Sequence, residues 1–299
     1  MNGRIIGAVT PPLPVRTRFA PAPTGSLHLG HVVNAVFVWG LARARGGAVV
    51  LRVEDHDRLR SRPAYEASLL EDLDWLGLVP DEGRHPVRRQ SNDVAPYEDA
   101  LARLDVAGRV YACDCSRRRI GGAPYDGRCR DRDVARGPDV GLRVRLDPGE
   151  ETFVDERLGP QRQTPARQCG DLLARDRNGN WTYQFAVTVD DLRDRISLVV
   201  RGDDLLESTG RQIALGRLLG RTKPPAWHHH PLVRKPSGDK LSKSSHDTGV
   251  RDLRAAGVAP EAVIGQAAAA AGLQRSPAPL AAADVARLFA AGSGAPGLP

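Results

Sequence analysis

The stretch RFAPAPTGSLHLGHVVNAVFVWG, residues 18–40, decides the fold of this chain. A short β-prone run, residues 15–19 (VRTRF), leads into a Pro- and Gly-rich loop, and an apolar helix-like run begins at HLGH. Strand, loop and helix in that order leave free backbone N–H groups and the positive end of a helix dipole at the strand's carboxyl end, which suits an anion. His28 and His31 stand ready to donate to phosphate oxygens, and Gly25 and Gly30 let a nucleotide approach without a Cβ in the way. A structural pair and a zinc site are the competing readings of two histidines three apart, and for zinc no further ligand is evident nearby.

The pattern continues outward. The helix stops at Gly46-Gly47, AVVLRVED (48–55) reads as a buried strand, and SRPAYEASLLEDLDWLGL (61–78) as an amphipathic helix with Pro63 near its start. This is the opening of a parallel α/β sheet. YEDALARLDVAGRVYACDC reads as a helix running into a cysteine cluster. Residues 113–190 are Arg-, Gly- and Asp-rich; GLRVRL is a strand candidate, and Asn178-Gly179 before the alternating run YQFAVTVDD signals a hairpin. ISLVVRGDDLLESTGRQIALGRLLG returns to strand-then-helix, and after residue 250 the chain is Ala-rich. The expected organisation is a catalytic first half over 1–112, an inserted subdomain over 113–190, a second catalytic half over 191–245 and a short helical region over 246–299.

The chain has 299 residues, with 43 Lys and Arg against 36 Asp and Glu, a net charge of +7. That excess favours a polyanionic partner, although the abundance of Arg, Gly and Ala also fits a GC-rich coding bias. No run of about 18 apolar residues suggests a membrane span. The first residues lack the sustained apolar core of a signal peptide, so a cytoplasmic protein is expected.

Three of the four cysteines, Cys113, Cys115 and Cys129, fall within 17 residues, while Cys169 stands alone. Clustered thiols in a reducing compartment read as zinc ligands rather than as a disulfide scaffold. Tyr125, Asp126 or water can complete the tetrahedron. Cys169 reads as a free thiol. Adjacent side chains of an extended His228-His229-His230 point to opposite faces, so the triplet reads as no metal tract, with at most one histidine lining a nucleotide pocket.

KLSKS, residues 240–244, is a cationic loop motif placed about 210 residues after HLGH. Together the two motifs resemble the HIGH and KMSKS pair of class I aminoacyl-tRNA synthetases. RFAPAPTGSLHLGH, LRVEDHDRLR, DWLGL, YQFAVTVDD and VVRGDDLL are similar to the glutamyl-tRNA synthetase branch, over roughly residues 15–245. YACDCSRRRIGGAPYDGRCR resembles the zinc cluster of the short glutamyl-queuosine tRNA(Asp) synthetase group, and only about 50 residues follow the KLSKS loop, against the large anticodon-reading region of discriminating enzymes.

The resemblance implies a Rossmann-type parallel-sheet α/β catalytic domain with a zinc-containing insertion and a short helical C-terminal region. It implies tRNA-independent activation of L-glutamate by ATP with Mg2+ and transfer of glutamate to the queuosine base of tRNA(Asp). His28, His31, Lys240 and Lys243 would serve catalysis, with Gly30 also at the ATP site. Arg18, Phe19, Ala20, Pro21, Ala22, Glu54, Tyr183 and Arg201 fall at glutamate-contacting positions. There the two arginines meet carboxylates, Glu54 meets the α-ammonium and Tyr183 lines the pocket. Ala22 stands where the family usually has serine. In the family the fourth zinc ligand is a tyrosine, here Tyr125, for one structural Zn2+. Asp190-Asp191 is also family-like, with no metal required there. The Arg-rich stretch 117–145, including Arg117–Arg119, is expected to guide tRNA, and the chain to act as a monomer. A truncated glutamyl-tRNA synthetase, a non-tRNA nucleotidyltransferase and a non-catalytic RNA-binding paralogue stay open as alternatives.

Overall fold

A computed structural model describes residues 14–56, 60–233 and 249–290. Strand β1 (Arg16–Phe19) passes through the Pro-rich loop to helix α1 (Leu29–Ala44), and β2 (Ala48–Leu51) returns parallel to β1 in the register Arg18↔Val50. The strand expected over 48–55 stops at Leu51. From there the Arg52 N–H donates to the Phe19 carbonyl and the Glu54 N–H to that of Pro21, so the chain bends over the end of β1. α2 (Pro63–Leu76) begins with proline in its first turn, where no N–H is missed, and closes on left-handed Gly77.

α3 (Ala95–Val106) ends before the cysteines, contrary to the expected continuous helix. Gly108, at φ 68°, turns the chain into strand β3 (Val110–Cys113). After the short α4 (Arg117–Ile120), β4 (Gly141–Val144) pairs antiparallel with β3. β5 (Glu151–Asp155) and β6 (Gly159–Gln163) form a hairpin, α5 (Pro165–Gln168) follows, and β7 (Leu172–Arg175) completes the sheet β3-β4-β7.

The expected turn at Asn178-Gly179 is present, with Gly179 at φ 81°, but the alternating run after it is helix α6 (Tyr183–Arg193), not a second strand. Phe185, Ala186 and Val189 bury themselves in a core shared with Tyr97, Leu104, Val144 and Leu215. That spacing is one face of a helix, and the tertiary core overrides the β propensity of Val and Thr.

β8 (Leu198–Gly202) lies beside β1, with the Ser197 N–H donating to the Arg16 carbonyl at 2.9 Å. α7 (Thr209–Leu218) leads to β9 (Ala226–His230), which runs parallel to β8 and is joined on its far side by β5 and β6, in the order β6-β5-β9-β8. The stretch 113–190 therefore contributes strands to two sheets. α8 (Val250–Ala255), α9 (Pro260–Ala270) and a 3-10 segment (Ala282–Phe289) follow. The main core packs Val32, Val36 and Leu41 of α1 against Phe19, Leu51 and Val200 of the strands and Ile264 of α9. The Phe289 ring occupies the notch at Gly40, where a Cβ would come within 2.1 Å of it. Among the described residues no helix is long and apolar enough to cross a membrane.

Candidate active site and cysteine cluster

HLGH sits at the N-terminus of α1, beyond the carboxyl end of β1. The His28 Nδ1 accepts the Gly30 N–H at 3.1 Å, and the His31 Nδ1 accepts the His28 N–H at 3.1 Å, a reciprocal cap. Because both Nδ1 atoms accept, each neutral ring carries its hydrogen on Nε2, the donor a phosphate oxygen needs. The ring centroids are 4.0 Å apart. Gly30 makes room for the cap itself, since a Cβ there would lie 3.0 Å from the His28 ring. Lys240 and Lys243 lie outside the described residues.

Beside this corner the ends of β1, β2 and β8 and the start of α6 bring Arg18, Glu54, Tyr183 and Arg201 together. Arg52, 1% exposed, is the hub beneath them. It reaches Glu54 at 3.0 Å, Asp191 at 2.9 Å, Asp194 at 3.1 Å and Asp190 at 3.5 Å. Burial works against its charge, but these four carboxylates outweigh that cost and hold its pKa well above the usual arginine value. Sequence reading passed over Arg52 and assigned no partner to Asp190-Asp191. An LRVED run with a second acidic pair far along the chain, at Asp190-Asp191, was the available signal.

Arg18 donates from Nε to Asp191 at 3.2 Å and from Nη1 to the Val200 carbonyl at 3.0 Å, which leaves its Nη2 edge without a partner among the described residues. Arg201 differs from the expected open fork. Its Nε donates to His229 Nε2 at 3.0 Å, Nη1 to Gln212 Oε1 at 2.8 Å, and Nη2 to the Leu205 carbonyl at 3.1 Å and Thr209 Oγ1 at 2.8 Å. The Tyr183 hydroxyl is its further neighbour, and burial lowers the Arg201 pKa while raising that of Tyr183. Phe19 is packed in the core and Pro21 is buried, whereas Ala20 and Ala22 are half-buried in the loop above. The Ala22 carbonyl accepts the Thr24 N–H at 2.8 Å.

The three histidines of β9 alternate as extended residues must. The rings of His228 and His230 pack on Phe37, with centroids at 5.4 and 4.9 Å, while His229 turns to Asp155 and Arg201.

At the end of β3, where Cys113 closes the strand and loops bring in Cys115 and Cys129, the three Sγ atoms lie within 4.8 Å of one another, all buried, a group able to hold a metal ion. Cys115 and Cys129 sulfurs are 3.6 Å apart, near the edge length of a tetrahedral zinc thiolate site. Of the two residues expected to compete for the fourth place, Tyr125 is the one brought in, its hydroxyl 3.5 Å from Cys113 Sγ. Asp126 turns outward to Arg128. Burial raises the Cys113 thiol, but contacts with Tyr125 and Arg143 more than offset it and leave its pKa lowered. Burial and Cys129 push Cys115 up to about 11. Cys169 is a free thiol, placed on the Pro165 carbonyl at 3.1 Å.

Residues 14–274 match the family described as tRNA synthetases class I (E and Q), catalytic domain. A glutamyl-Q tRNA(Asp) synthetase of Rhodobacter capsulatus is 40% identical over 271 residues, covering 82% of this chain and 96% of that protein. Another, of Symbiobacterium thermophilum, is 42% identical, covering 88% of each. A glutamate–tRNA ligase of Frankia casuarinae is 38% identical over 83% of this chain but 54% of its own length. Among solved structures, a glutamate tRNA ligase from Elizabethkingia meningosepticum in complex with its amino acid superposes with a TM-score of 0.76 at 26% identity, covering 92% of this chain and 64% of that one. This chain thus spans about two thirds of that synthetase's length.

Proposed function

The chain belongs to the class I tRNA synthetase family of the E and Q branch, a family of ligases, and from that premise we propose that it activates L-glutamate with ATP and transfers it to the queuosine base of tRNA(Asp). The observation that carries the reading is the constellation of buried Arg18, Glu54 and Arg201 with half-buried Tyr183 beside the HLGH corner. A dicarboxylic amino acid needs cationic donors for its side chain, an anion for its ammonium, and an α-carboxylate left free to react. Arg18, whose Nη2 edge has no partner among the described residues, receives the side-chain carboxylate, with Tyr183 and Arg201 completing the wall. Glu54 takes the α-ammonium, held in place by Arg52.

The α-carboxylate attacks the α-phosphorus of ATP in line, the bond to the β-phosphate oxygen breaks, and glutamyl-adenylate and pyrophosphate result. A carboxylate is already ionised, so no protein base is required, and rate comes from positioning and charge stabilisation. His28 and His31 donate from Nε2 to the phosphates, and Lys243, with Lys240 in support, balances charge moving onto pyrophosphate; Mg2+ enters with ATP. A ring hydroxyl of queuosine then attacks the activated carbonyl and AMP leaves. Cys113, Cys115, Cys129 and Tyr125 would hold one zinc ion, which cross-links an insertion of short strands. The net charge of +7 and the arginines of α4 draw the tRNA.

The test is transfer of labelled glutamate to tRNA(Asp) carrying queuosine or guanosine at the wobble position, each oxidised with periodate beforehand at the terminal ribose. Queuosine carries its own cis-diol, so the oxidised samples are paired with untreated ones and with tRNA shortened by its terminal adenosine. Label on the untreated queuosine samples alone, kept after loss of that adenosine and lost where periodate has cleaved the queuosine diol, is expected. Label on both tRNAs that disappears with the terminal adenosine would overturn the reading in favour of ordinary aminoacylation.

A further inference from the structure

Arg201 and His229 are direct register partners on the adjacent strands β8 and β9, and behind His229 stands Asp155 of β5. All three are buried, His229 completely. The polarity of this row follows from elementary donor counting. A guanidinium has no acceptor, so the Arg201 Nε–H must donate to His229 Nε2, which is therefore the lone-pair nitrogen. The His229 Nδ1 then carries the hydrogen and donates it to Asp155 Oδ2 at 2.6 Å.

Asp155 is itself fixed. Its Oδ2 also accepts the His229 N–H at 3.1 Å, and its Oδ1 accepts the N–H groups of Arg157 and Leu158 at 3.1 and 2.9 Å. A carboxylate so engaged holds one imidazole tautomer, and that tautomer is the one able to receive Arg201. Thr209 Oγ1 lies 3.3 Å from the same His229 nitrogen and also accepts from Arg201, closing a small ring of contacts.

We propose that His229, oriented by Asp155, is a positioning residue that sets the plane of the Arg201 guanidinium and thereby the affinity of the site for glutamate. The inference rests on the reading of Arg201 as a substrate-facing arginine. It assigns to the β5–β6 hairpin a share in the amino-acid site. Protonation of His229 would place an N–H against the Arg201 Nε–H and release the guanidinium. The charged and titratable groups around His229 are Asp155 from β5, Arg201 from β8, Arg157 on the His229 carbonyl, and the neighbouring His228.

The experiment is ATP–pyrophosphate exchange by the full chain, with KM for glutamate and for ATP measured separately between pH 5.5 and 8. His229→Leu strands a buried N–H donor and is expected to raise KM for glutamate about tenfold or more, with KM for ATP nearly unchanged. His229→Gln restores an acceptor near the Nε2 position, and is expected to recover most of the affinity and to lack the rise in KM for glutamate expected of the unsubstituted protein toward the acid end of that range. Equal KM values for glutamate in His229→Leu and the unsubstituted protein would overturn the proposal. So would equal loss in the Leu and Gln variants, or a rise in both KM values together, which marks packing alone. If His229→Leu fails to fold, the Gln variant and its pH profile decide. Arg201→Gln is run alongside. No change in its KM for glutamate would overturn the underlying reading of Arg201, whereas a rise there with none in His229→Leu would overturn only the positioning role.

Discussion

Gly249 pairs with His28 in an isolated antiparallel bridge, and the next residue, Val250, donates its N–H to the Leu27 carbonyl at 2.8 Å. Gly249 follows Lys243 of the KLSKS motif by six positions, so the chain just beyond that motif is fastened to the histidine corner. Val250 is the first residue of α8, where proline is tolerated by the helix. Val250→Pro therefore removes the tether together with part of a side chain fully buried in the main core, so a melting curve is read beside the activity. The substitution is expected to slow ATP–pyrophosphate exchange by about tenfold through loss of positioning, with KM for glutamate unchanged.

Replacing His28 with alanine removes both a cap and a phosphate donor. Urea denaturation is expected to register a loss of about 0.5–2 kcal/mol from the cap. Exchange is expected to fall by roughly 10²–10³, the usual effect of losing one preorganised donor. An unchanged rate would remove His28 from the chemistry.

The strand–loop–helix opening was legible because a loop of prolines and glycines followed by apolar periodicity has few other solutions. The site residues were legible only where a motif marked them. Arg52 was not, since an arginine inside a strand-like run looks the same in sequence whether it faces water or four carboxylates. The run after Asn178-Gly179 misled for a related reason. Alternating Val and Thr in α6 satisfies a strand pattern locally, and only the core made by Tyr97 and Leu215 selects the helix. His229 was hidden inside its triplet, where pattern alone cannot distinguish the residue that turns toward Asp155.

Arg52→Met leaves Glu54, Asp190, Asp191 and Asp194 facing one another without their common partner. Breaking a buried ion network from one side costs about 3–5 kcal/mol, which denaturant titration would detect as a large drop in midpoint. Arg52→Lys is expected to recover part of the loss but not the simultaneous contacts of a planar fork.

Asp72 of α2 is fully buried, neither carboxylate oxygen accepts a hydrogen bond among the described residues, and Arg254 lies 3.6 Å away. Burial raises its pKa to about 6. The unfolded chain releases this proton near pH 4 while the folded chain keeps it to about 6, so the native state binds the extra proton between them and stability falls as pH rises through that window. Asp72→Asn is expected to flatten that part of the profile, with the unsubstituted protein losing about 1–3 kcal/mol relative to the variant between pH 4 and 7. Melting curves across that range are the check; parallel profiles would contradict it.

Zinc analysis of the purified chain is expected to give about one ion per molecule, and Cys115→Ser to abolish it. Proteolysis is expected to open the 113–175 region first once the ion is removed by a chelator. Tyr125→Phe is expected to weaken retention while leaving the three thiolates in place.

The union of β5 with β9 bears on how such proteins can be recombined. A chimera that exchanges the cysteine-bearing stretch as a block, cut at residues 113 and 190, would carry away Asp155 and with it the support of His229, a residue that stays behind. The natural seams instead run on either side of the β5–β6 hairpin, because that hairpin travels with the substrate site. Grafts that respect those seams can vary the surface offered to RNA while leaving the amino-acid pocket intact.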